Sequence, residues 1–83
     1  MTIEEQDFRL VPISGTTPVF NLEFKNNKQE FKTEAYGISI EYAVKKIAHY
    51  RVCNNHADEA ISLCAYFKEF QTELNSIKQL LKL

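Results

Sequence analysis

Four side chains of the kinds that bind metals or attack electrophiles lie close together in this sequence: His49, Cys53, His56 and Cys64. His49 and Cys53 are spaced i, i+4, which on a helix places them on one face. Imidazole and thiolate are the donor types of structural zinc. The spacing matches none of the short zinc-knuckle patterns, and a free cysteine beside an apolar seam is routinely a small core residue. A zinc-stabilised module is therefore kept as an alternative, and no cofactor is expected. A nucleophile built from Cys53 with His49 or His56 needs a third group to orient the base, and donors for an oxyanion. No motif supplies either, so no catalytic residue is assigned and no enzyme is expected.

Carboxylates also occur in pairs, at Glu4/Glu5, Glu30/Glu34, Asp58/Glu59 and Glu69/Glu73. Acid–base work needs such groups desolvated in a pocket. Their pattern reads as solvated strand and helix faces instead. Gly15 and Gly37 stand apart, so no glycine-rich phosphate cradle is present. Lys25, Lys28, Lys32, Lys45, Lys46 and Arg51 make the middle of the chain mildly basic. A face of that kind suits nucleic acid, which is the second reading of function. Glu30, Glu34 and Glu41 interleave with it, and tight phosphate binding needs uncompensated cations. Lysines that guard sheet edges are the plainer explanation.

The elements that must position these groups follow from pattern. Residues 1–6 read as a frayed end, and Phe8–Val11 as a short edge strand closed by Pro12. A loop is expected at residues 14–17. From Val19 to Lys25 the chain alternates, with Phe20, Leu22 and Phe24 on one side. Asn26-Asn27 marks a hairpin turn, because asparagine tolerates positive φ. Residues 30–36 alternate again, with Phe31, Thr33 and Ala35 facing one way, and Gly37 breaks the strand. Ser39 caps a helix over residues 39–53, along which Ile40, Ala43, Val44, Ile47 and Ala48 recur at helical spacing. A second helix is expected over residues 57–83. Its seam of Ala60, Leu63, Phe67, Phe70, Leu74, Ile77 and Leu81 steps by three and four. A helix of about 26 residues is roughly 39 Å long. That exceeds a compact domain of this size, about 30 Å across. The C-terminal part of the seam is therefore expected to project.

The chain has 83 residues, enough for one domain. A net charge of −1 supplies no global attraction to nucleic acid or anionic lipid. Two cysteines form no dense disulfide framework, and the acidic N-terminus reads as no secretory signal. No stretch nears the roughly 18 apolar residues of a membrane span. A cytoplasmic protein without membrane contact is expected.

The layout from Phe20 onward resembles that of small accessory proteins encoded by phages and other mobile elements. The resemblance is carried by the hairpin Phe20-Asn-Leu-Glu-Phe and Glu30-Phe-Lys-Thr-Glu-Ala-Tyr36, by the helix Ser39-Ile-Glu-Tyr-Ala-Val-Lys-Lys-Ile47, and by the closing helix from Phe67. It implies a protein that binds a host macromolecular complex and modulates or blocks it. It carries over no functional residue.

The expected fold is α+β: a two- or three-stranded antiparallel sheet (a meander over residues 8–36) followed by an αα-hairpin with a long C-terminal helix. The expected core is Phe20, Leu22, Phe24, Phe31, Ile40, Val44, Ile47, Leu63, Phe67 and Phe70. The expected function is a non-enzymatic protein–protein interaction module that forms a homodimer. Phe70, Leu74, Ile77, Leu80 and Leu81 are assigned to self-association. Tyr36, Tyr42, Lys32, Lys45 and Lys46 are assigned to a protein partner.

Overall fold

A computed structural model of the chain describes residues 2–13 and 18–82. The loop expected at residues 14–17, and residue 83, lie outside the described residues. The elements run β1 (Ile3–Glu4), β2 (Phe8–Pro12), β3 (Val19–Lys25), β4 (Phe31–Ser39), α1 (Ile40–Asn55) and α2 (Leu63–Leu80). The strands form one antiparallel sheet in the order β1-β2-β3-β4, so the fold is α+β, with two helices after the sheet. The strand beyond the two or three expected is β1, in the segment read as frayed. Ile3 pairs with Leu10 and Glu4 with Arg9. Two residues carry no periodicity of their own, and only the partner strand makes them a strand.

The chain divides into two compact units. They comprise Met1–Ala43 and Val44–Leu83, and the boundary falls inside α1.

In the first unit, Phe8 lies opposite Phe24 and Leu10 opposite Leu22, and all four are buried. This cross-strand quartet is the apolar face that the alternation of β3 announces. The strand β4 does not keep its own alternation. Its pairing with β3 shifts between Phe20 and Leu22 and again between Leu22 and Glu23. Each shift is a bulge that puts an extra β4 residue into the ladder. Ala35 therefore pairs with Leu22 on the apolar face, while Phe31 pairs with Lys25 on the other. Phe31 was expected in the core. Instead it is half-buried, with the Arg9 guanidinium carbon 4.4 Å and Lys25 Nζ 5.5 Å from its ring centroid. The Nε of Arg9 also donates to Glu23 at 2.8 Å. Gly37 sits inside β4, with φ +60, and its N–H donates to Asn21 Oδ1 at 3.1 Å. The strand runs through this glycine because the bulge uses the left-handed conformation that glycine adopts without strain.

The hairpin turn falls where the asparagines predict it, with a different residue in the left-handed region. The N–H of Asn26 donates to the Glu30 carbonyl at 2.8 Å, and that of Gln29 to the Asn26 carbonyl at 3.1 Å. Asn26 Oδ1 accepts from the N–H groups of Lys28 and Glu30. This frees Asn26 from the αL role, and Gln29 takes it at φ 64.

The helix α1 starts as predicted, with the Tyr42 N–H donating to Ser39 Oγ at 3.2 Å. In the second unit Val44, Ile47, Ala48 and Val52 of α1 are buried. The helix α2 begins at Leu63 and not near residue 57, because Ser62 caps it. Ser62 is extended, at φ −72 and ψ 158, and its hydroxyl accepts from the Ala65 N–H. Residues 56–58 form a turn, closed by bonds from His56 N–H to the Cys53 carbonyl and from Glu59 N–H to the His56 carbonyl. The helix spans 18 residues, about 27 Å, so the overhang argument loses its basis.

Candidate interaction surface

The seam of α2 divides into two halves. In the C-terminal half, Ile77 has no exposed surface and Leu74 keeps 9%. Leu81 is half-buried, and among the described leucines there only Leu80 is exposed. Leu74 and Ile77 are thus interior residues of a single chain, where projection was expected. In the N-terminal half, Leu63 is 70% and Phe67 58% exposed, where core was expected. The buried line on this half runs instead through the half-buried Tyr66, Phe70 and Glu73. Phe70 belongs to the expected seam, whereas Tyr66 and Glu73 each lie one residue before a seam position and turn toward polar groups of α1.

Those groups are specific. His49 Nδ1 lies 2.8 Å from the Tyr66 hydroxyl, and the two rings meet edge-on at 5.7 Å. Arg51 lies 3.8 Å from Glu73, and His56 Nε2 lies 2.6 Å from Glu69. The ring nitrogens of His56 are closed to solvent and lack the alignment of a hydrogen bond, so the His56–Glu69 contact holds by charge when the ring is protonated. Glu69 and Glu73 therefore face α1, and the reading of this pair as a solvated face is corrected.

Tyr66 is held on three sides. Besides His49, its ring stacks on Phe70 at 5.8 Å and 24°, and meets Phe67 edge-on at 5.6 Å and 68°. The exposed ring of Phe67 consequently rests on a fixed support. Leu63 stands one turn before it on the same stripe. A pre-oriented aromatic side chain with an apolar neighbour is the type of group that anchors protein interfaces.

The other assigned residues are scattered between the units. Tyr36 is 75% exposed, on β4 at the edge of the sheet, and Lys32 is exposed on the same strand. Tyr42 is exposed in the first turn of α1, Lys45 is exposed in the second unit, and Lys46 is half-buried. The four metal-ligand types do not converge. His49 Nε2 lies 3.5 Å from Cys53 Sγ, whereas His56 turns to Glu69, and both cysteines are exposed free thiols. Among the described residues, no group of three or more His, Cys, Asp or Glu side chains is placed to hold a metal ion. A shallow hollow of about 180 Å³, lined by Asn55, Lys68, Glu69, Thr72 and Glu73, is smaller than the roughly 300–1,000 Å³ of typical ligand sites. Among the described residues, no helix is long and apolar enough to cross a membrane.

The seam hid the exposed pair because Leu63 and Phe67 share the spacing of residues that are buried. One signal does mark the true helix start. Ile61 precedes Ser62 and Tyr66 follows it by four, the spacing of a hydrophobic staple around an N-cap. Compared with family models, curated proteins and solved structures, the chain matches none.

Proposed function

We propose that this chain is a non-enzymatic interaction protein that docks through the N-terminal half of α2, with Leu63 and Phe67 as its anchors. The observation that carries the reading is the exposed Phe67 ring braced by Tyr66, which is itself fixed by His49 and Phe70. An apolar pair held in place loses little entropy on binding. A second copy of the chain is the first occupant to test, and a host protein the next. The resemblance of its layout to that of phage and mobile-element accessory proteins also implies an interaction role.

The test is light scattering after size exclusion, over a range of concentrations, on the intact chain and on Leu63→Glu/Phe67→Glu. The intact chain is expected to dimerise and the double variant to remain a folded monomer. If the intact chain is monomeric throughout, partner capture with the same two proteins decides. A partner retained equally by both overturns the assignment of the anchors.

A further inference from the structure

We infer, on the reading of Leu63 and Phe67 as anchors, that their occupant is a second copy of this chain, docked with the two α2 helices antiparallel about a twofold axis. The partner and its orientation both follow from how charge is arranged along the exposed side of α2.

That side changes sign along its length. Asp58 and Glu59 are exposed ahead of the Ser62 cap, Leu63 and Phe67 come next, and Lys68 and Lys78 are exposed beyond them. Glu59 lies 3.7 Å from His56 Nδ1, yet its side chain keeps 67% of its surface. At about 100° per residue, Phe67, Lys78 and Lys68 stand roughly 40°, 60° and 140° round the helix from Leu63. Tyr66, Glu73 and Glu69, which meet α1, stand at roughly 300°, 280° and 240°. The lysines therefore share the free side with the apolar pair. All of these residues belong to the second unit.

A twofold contact joins one patch to itself, so the patch must complement itself. With the helices antiparallel, Leu63 of one copy faces Phe67 of the other. Extending that register past the cap brings Glu59 beside Gln71 of the second copy, about 4.5 Å along the axis from its Lys68. That is within reach of a lysine side chain, and symmetry makes the contact twice. With the helices parallel, Glu59 would face Glu59 and Lys68 would face Lys68, which repel. Exposed charge pairs add little affinity. They select the orientation, while Leu63 and Phe67 supply the apolar burial.

The experiment is sedimentation equilibrium at low salt on the full chain, on Glu59→Lys, on Lys68→Glu and on the chain carrying both. Each single reversal is expected to weaken the dimer about fivefold, and the two together to restore it within about twofold. A parallel dimer shows no such rescue, because each reversal there only exchanges one like pair for another. A distance measurement avoids the charge reversals. In a Cys53→Ser/Cys64→Ser chain, Lys78→Cys takes a spin label. Antiparallel docking separates the two labels by about 39 Å along the axis, whereas parallel docking leaves only the roughly 10 Å between helix axes. A dimer that is lost in Leu63→Glu/Phe67→Glu, yet shows no rescue and a short label distance, overturns the orientation and leaves the anchors standing. An intact chain that stays monomeric at every concentration overturns the inference, and partner capture then decides the anchors separately.

Discussion

The two halves of α2 carry the same apolar spacing and have opposite fates. Leu74 and Ile77 are interior, and Leu63 and Phe67 are exposed. The stripe is continuous in sequence, so spacing does not separate them. What separates them is what α1 offers to each turn. Beside the first half stand His49 and His56, which meet Tyr66 and Glu69, and Arg51 meets Glu73 just beyond it. These contacts pull the polar flank of the helix inward and turn the apolar residues out. A heptad read from sequence is thus a statement about a helix face, and the neighbour decides which part of the face is core.

This contrast can be broken most forcefully at Ile77. Ile77→Ala should cost about 2–5 kcal/mol, which in so small a protein approaches its total stability. Urea unfolding followed by circular dichroism reads it. Leu74→Glu with Ile77→Glu should yield an unfolded chain and not the folded monomer that a projecting seam implies. Next in size is the cap that sets where the exposed half begins. Ser62→Ala should lose about 1 kcal/mol, seen as a lower melting temperature. Smaller still are the contacts that rotate the helix. Glu73→Gln should cost about 0.5 kcal/mol, less in high salt, since the Arg51 pair is partly solvated. Smallest is Phe67→Ser, which should change stability by no more than about 0.5 kcal/mol while abolishing association. A large loss of stability at Phe67 would place it in the core and remove the contrast.

Much of the fold was legible. The alternation of β3, the Ser39 cap, the buried stripe of α1 and the position of the hairpin all follow from local rules. The misreadings share a cause. Phe31 was assigned to the core because period two was extended through Glu34, where a bulge resets the phase. The strand β1 was missed because two residues pair only through a distant partner. The start of α2 was placed early because Asn55 and Asp58 offer capping chemistry as good as that of Ser62. The candidate surface was legible as residue types and not as exposure.

The sequence by itself determined the α+β class, the hairpin, the two helices and the pair His49 and Cys53 on one helical face, because these depend on periodicity, caps and i, i+4 spacing. Only the tertiary structure decided that Phe67 faces outward, that Phe31 lies under two cations, and that Tyr66 reaches His49. Those outcomes depend on bulge placement and on contacts between residues far apart in the chain. Local preference says nothing about which distant group will be there to meet them.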